Sequence, residues 1–122
     1  MALIEKIDTT QYCLDMHGDG SVTKRKQQPG PPERIAGYSL GIADMTRSAP
    51  HGGEVHPDGD EVLFVISGSV LVRGESDPQQ PVAVNAGECC VVKAGEWHKV
   101  ELLEPTRLIY LTPGPNGDHR PL

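Results

Sequence analysis

A chain of 122 residues supports a single domain with one core. Its 11 Lys and Arg against 17 Asp and Glu give a formal charge of −6; with only one Trp, three Tyr and one Phe, the chain lacks the basic face and the stacking surface that nucleic acid requires. Fourteen glycines and eleven prolines punctuate it too often for a helical bundle and suit short strands joined by turns.

No run approaches the roughly 18 apolar residues of a membrane span. The first six residues become charged at Glu5 and Lys6 without the apolar region of a secretory signal. Cys13 and the adjacent pair Cys89 and Cys90 do not make a disulfide framework. A cytoplasmic protein is expected, with no membrane partner and no nucleic-acid partner.

In chain order, residues 1–34 read as N-terminal strands and an irregular arm that packs on the rest of the chain or on a partner subunit. Apolar pieces at 2–7 and 11–16 are the candidate strands. The polar stretch 17–33, with Lys24-Arg25-Lys26 and then Pro29-Gly30-Pro31-Pro32, reads as a long connection whose basic triplet is solvated. From 35 to 113 the texture becomes that of a β-domain. Candidate strands at 36–45, 61–67, 69–73, 81–84, 88–93, 98–103 and 106–112 are separated by turn residues at intervals of eight to twelve positions, and Gly68 marks a tight bend between two of them. An antiparallel sandwich or small barrel follows. Residues 114–122 read as a polar tail in which His119 is exposed and not a ligand.

Val62, Leu63, Phe64, Val65 and Ile66 are apolar on both faces of their strand. A strand with one solvated face should alternate, so the N-terminal strands or a partner subunit should cover the second face, and a homodimer is expected.

Chemistry concentrates in His51-Gly52-Gly53-Glu54-Val55-His56-Pro57-Asp58-Gly59-Asp60-Glu61. Glu54 and His56 are two apart and share a strand face. Asp58-Gly59 is a turn signal that brings Glu61 back beside them. Much later, Ala94-Gly95 turns the chain so that His98 opens another strand. His56, Glu61 and His98 make a two-imidazole, one-carboxylate face for one divalent ion (Fe, Mn, Zn or Ni), with Glu54 as a fourth ligand. The competing reading is a solvated acidic loop and a core histidine. Glu61 argues against it, because it opens the most apolar strand of the chain, where an unpaired inward carboxylate would cost several kcal/mol.

These two segments resemble the paired motifs of the cupin superfamily. The first family motif is G-x5-H-x-H-x4-E-x6-G, and His56, Glu61 and Gly68 reproduce its second half. The second is G-x5-P-x-G-x2-H-x3-N, matched here by Gly87, Gly95 and His98. Glu54 stands in place of the first His, Ser48 in place of the leading Gly, Lys93 in place of Pro and Leu102 in place of Asn. The resemblance implies an all-β double-stranded β-helix, a jelly-roll barrel of two antiparallel sheets, with Glu54, His56, Glu61 and His98 around the metal. Two carboxylates favour harder, oxygen-loving ions over copper. His51 is expected at the pocket rim or as a spare ligand.

By parity, Leu63, Val65, Val100 and Leu102 should line the interior, and Trp97 should face away from the site. At most one of Cys89 and Cys90 can point inward, where it should be a buried, inert thiol. Tyr38, Tyr110 and Arg107 are candidate catalytic or ligand-binding groups; no dedicated general base is evident. Two functions compete. One is a metal-dependent enzyme acting on a small organic molecule, with dioxygenase-type or Lewis-acid isomerase or lyase chemistry. The other is a non-catalytic small-molecule-binding module.

Overall fold

A computed structural model of the chain describes residues 3–122; the start of the apolar piece expected at 2–7 lies outside them. In chain order the strands are β1 (Tyr12–His17), β2 (Val22–Lys26), β3 (Gly37–Met45), β4 (Gly53–Val55), β5 (Glu61–Ser67), β6 (Ser69–Gly74), β7 (Val82–Asn85), β8 (Cys89–Val92), β9 (His98–Leu102), β10 (Thr106–Gly114) and β11 (Asp118–Arg120), and the described residues form no helix. They make two antiparallel sheets, ordered β2-β1-β3-β10-β5-β8 and β11-β4-β9-β6-β7. This is the all-β barrel that the strand rhythm implied.

The core lies between the sheets and takes Leu63 and Val65 from β5, Val70 and Val72 from β6, Val84 from β7, Val92 from β8 and Leu108 from β10. Val100 and Leu102 pack against it, so all four side chains expected inside are there. Gly68 makes the bend between β5 and β6 at φ +89°, and a Cβ there would lie 2.3 Å from the Pro105 carbonyl oxygen. Only glycine meets both conditions.

The inner face of the larger sheet is layered. Leu63, Val65 and Leu108 form its apolar part, whereas Asp15, Ser39, Thr112 and Glu61 are buried polar groups. Three of these align across strands, Thr112 opposite Ser39 and Ser39 opposite Asp15. Each finds a partner, as buried polar groups must.

Three expectations are corrected. The stretch 17–33 is not wholly a connection, because Val22–Lys26 is β2 and pairs with β1. Arg25 is not solvated there: its guanidinium donates to both Asp15 carboxylate oxygens at 2.8 and 2.9 Å and to Ser39 Oγ at 3.2 Å. The tail is also docked. β10 runs on to Gly114, and β11 pairs with β4, where Arg120 lies 3.8 Å over the Trp97 ring and salt-bridges Glu75. Finally, of the two covers expected for the outer face of β5, the N-terminal strands do not supply it: Glu61, Leu63 and Val65 are buried, while Phe64 and Ile66 are 40% and 41% exposed within the one chain. β1 and β2 extend that sheet beyond β3 and do not cover the outer face of β5.

The Asp15–Arg25 pair yields a test of the N-terminal hairpin. Arg25→Ala leaves a buried carboxylate with only Ser39, and should cost about 2–3 kcal/mol in urea unfolding. A change under about 0.5 kcal/mol, typical of solvated surface substitutions, would mean that the basic triplet is solvated after all.

Candidate metal centre

Glu54 sits in the middle of β4, directly opposite His98 at the start of β9. His56 follows β4 on the same face as Glu54, and the turn through Asp58 and Gly59 returns the chain to Glu61 at the start of β5. Asp60 secures that turn by accepting from the Ala94 N–H at 2.9 Å and pairing with Lys93 at 3.2 Å, so the hairpin before Glu61 is tied to the loop before His98. One ligand atom from each of Glu54, His56, Glu61 and His98 lies within 4.8 Å of the others. The four residues singled out as metal ligands are therefore brought together.

Glu61 is 2% exposed and His98 3%. His98 Nδ1 donates to the Glu96 carbonyl at 3.0 Å, which leaves Nε2 facing the cluster 2.9 Å from Glu61 Oε1. Such an orienting bond fixes the tautomer of a metal-ligating histidine. Thr112 Oγ1 donates to the other Glu61 oxygen at 2.6 Å and holds the carboxylate in place. His56 differs: neither ring nitrogen has a hydrogen-bond partner although both are buried. Its Nε2 lies 3.3 Å from Glu61 and 3.5 Å from Glu54 across a shared centre.

The charges are mutually sustained. Burial works against both imidazolium forms, but Glu54 and Glu61 outweigh it and raise His56 to about 9 and His98 to about 10. Burial likewise opposes both carboxylate charges, and the two histidines outweigh it, holding Glu54 and Glu61 below the ordinary carboxylate range. Two protons on the imidazoles balance the two carboxylates; one divalent cation with neutral imidazoles does the same. An orphaned buried His56 nitrogen aimed at converging nitrogen and oxygen donors fits a cation.

The other residues fall into place around this cluster. His51 is at the rim, its Nδ1 accepting from the Gly53 N–H at 3.1 Å and its Nε2 3.8 Å from Glu54. Tyr38 donates to the Asp60 carbonyl at 3.1 Å, and Arg107 pairs with Asp44 at 3.7 Å; neither lines the cavity beside the cluster. Tyr110 points inward and packs against the core. Cys90 is half-buried with its thiol pushed up to about 11 by burial and then by Glu61, whereas Cys89 is exposed.

A family model for the cupin domain matches residues 45–112. The chain belongs to the cupin family. Among solved structures it is similar to a cupin-2 domain protein from Shewanella frigidimarina, with 22% identity over 74% of this chain and 85% of that one and a TM-score of 0.54. A double-stranded β-helix protein from Klebsiella pneumoniae shares 19% identity over 78% and 90%, with a TM-score of 0.55. Oxalate oxidase bound to the substrate analogue glycolate shares 21% over 66% of this chain and 45% of that chain, with a TM-score of 0.51. These likenesses establish the fold alone. No curated protein matches the chain by sequence.

A cavity of about 440 Å³ opens onto this cupin's cluster through Glu54 and His56. Its other walls come from Pro31, Pro32 and Arg34, from Pro50 and His51, and from Pro115, Asp118 and His119. Sequence reasoning missed Thr112, Arg34 and the rim position of His119. Thr112 could have been found from its parity with Leu108; the other two lie on segments whose return to the barrel mouth leaves no mark in the pattern.

Metal binding must displace the two imidazole protons, so affinity for Zn(II) or Mn(II) should rise between pH 6 and 8, with about two protons released per ion in a chelator competition. Without metal, the imidazoles' raised values contribute stability that is complete below about pH 6.5 and lost as pH rises through 9 to 10. The metal-free protein should therefore melt earlier at pH 9.5 than at pH 6, and added metal should abolish that difference. His98→Ala should remove most bound metal by elemental mass spectrometry; unchanged content would place the ion elsewhere.

Proposed function

We propose that this cupin is a metal-dependent enzyme that moves a proton on a small organic molecule, chemistry of the isomerase or lyase type. The observation that carries this reading is the cavity that joins the four-donor cluster to two further imidazoles, His51 and His119. A divalent ion held by Glu54, His56, Glu61 and His98, with Fe, Mn, Zn and Ni as candidates, supplies Lewis acidity toward an oxygen of the bound molecule.

The remaining roles belong to the chain. Because His51 Nδ1 accepts from a backbone N–H, its neutral ring carries the proton on Nε2 and can only donate to charge that develops on a substrate oxygen. The His119 ring hydrogen-bonds to no described residue, so both its nitrogens are available for proton exchange with a ligand. Pro31, Pro32, Pro50 and Pro115 give the cavity apolar walls against which the carbon body of a small molecule can rest.

The test begins with tag-free protein purified without chelators, its metal content measured by elemental mass spectrometry. Loaded protein is then incubated in D2O with a panel of hydroxy and keto acids, following deuterium incorporation by NMR and oxygen by electrode. Deuterium incorporation without oxygen uptake is expected, and His119→Gln should slow it about 100-fold. Oxygen consumption would replace this reading with a dioxygenase, and saturable binding without turnover would leave a binding module.

The same proposal extends to assembly. Val62, Phe64 and Ile66 on β5 stand beside Val91 on β8 and Ile109 and Leu111 on β10, and Leu3 and Ile4 are each 91% exposed. Three strands at about 4.8 Å spacing make this a broad apolar face, of the kind a second copy of the chain covers in a homodimer. Light scattering should give twice the 13.2 kDa of one chain, reverting to one chain's mass in Phe64→Glu. A wild-type monomer would overturn this.

A further inference from the structure

We infer that Arg34 binds the carboxylate of an organic acid in the cavity beside the metal centre, an inference that rests on reading that cavity as the substrate site. Four other arginines face a carboxylate: Arg25 meets Asp15, Arg73 meets Glu101, Arg107 meets Asp44 and Arg120 meets Glu75. Arg47 is exposed. Arg34 is half-buried, lines the cavity and salt-bridges no carboxylate of the described residues. Its guanidinium lies 5.7 Å from the centroid of the Tyr110 ring, on a cation–π contact that uses none of its five N–H donors. A half-buried guanidinium with its donors unspent is suited to a bidentate anion.

The position of Arg34 is fixed by the backbone. The chain around it packs so closely on the end of β10 that a Cβ at Gly114 would fall 2.5 Å from Arg34 Cβ and 2.7 Å from the Ile35 carbonyl oxygen. Pro31 and Pro32 stiffen the approach to it.

Electrostatics agree. A divalent ion with Glu54, Glu61 and two neutral imidazoles sums to zero, so the cluster itself neither attracts nor repels an anion. Asp118 is the one further acidic wall residue, and it is exposed and accepts from the His119 N–H at 2.8 Å. Arg34 supplies the positive charge within the cavity. The four proline walls favour an apolar body. The ligand class is thus an organic acid whose carboxylate meets Arg34 and whose body carries an oxygen toward the cluster.

The probes are isosteric pairs, benzoate with benzamide and phenylacetate with phenylacetamide, titrated by calorimetry into metal-loaded and metal-free protein. Wild type should prefer each acid to its amide. Arg34→Gln should weaken the acids at least about tenfold and leave the amides unchanged, with Arg34→Lys in between. Equal losses for acid and amide would make Arg34 a wall of the cavity only. Acid binding that disappears with the metal but survives Arg34→Gln would assign the anion to the metal, and no preference for any acid over its amide would also overturn the inference. If the protein binds no metal yet the Arg34-dependent preference persists, the metal-enzyme reading fails while the carboxylate site stands.

Discussion

A carboxylate that is 2% exposed, on the inner face of the most apolar strand of the chain, cannot stay charged without compensation close at hand. Glu61 receives one hydrogen bond from Thr112, faces His98 Nε2 at 2.9 Å and has His56 Nε2 at 3.3 Å. Two compensations are open to it, protons on the imidazoles or a cation among them, and they are equal in charge. The cluster therefore never needs to be both buried and unbalanced. A metal ion would compete with those protons for the same donor atoms.

The barrel interior can host such a cluster because its two ends differ. On the larger sheet, Thr112, Ser39 and Asp15 continue the polar layer away from Glu61, each hydrogen-bonded, with Arg25 closing the row from β2. The layers built from Leu63, Val65 and Leu108 are apolar and pack on β6 and β7. A one-residue slip of any strand would exchange these faces, so the polar and apolar layers together fix the register. Arg25 stabilises the N-terminal hairpin and also prevents the polar layer from ending in a bare carboxylate.

Much of this was legible in the sequence. Strand alternation, the Asp58-Gly59 turn and the spacing of Glu54, His56, Glu61 and His98 pointed to the fold and to the convergence of these four side chains on a common face, because period-two geometry and short turns are local rules. What stayed hidden depended on distant partners. β2 has the composition of a loop and becomes a strand because Arg25 finds Asp15, ten residues back. The tail has no apolar periodicity, and β11 forms because β4 offers an open edge and Arg120 finds Trp97 and Glu75. The apolar run 62–66 suggested a covered face, yet within one chain its outer side chains remain exposed.

The parts hidden from local rules are also the parts that shape the cavity. Its rim comes from three segments far apart in sequence, around Arg34, His51 and His119, and each is fastened to the rest of the chain. The first packs on Gly114; Gly52 donates to the Arg120 carbonyl at 2.7 Å; and Asp58 accepts from the Asn116 backbone and side chain at 2.6 and 3.0 Å. Side chains on such a rim can change without disturbing the strands that hold the four donors. Loops carried on a rigid scaffold are where recognition is expected to vary. That division explains why the family pattern announces the four-donor cluster but is silent about the rim, where Arg34 pairs with no carboxylate of the described residues. Glu54 belongs to both parts, since it faces His98 across the strands and lines the cavity, so the residue at which this chain departs from the family motif stands where the four-donor cluster meets the cavity.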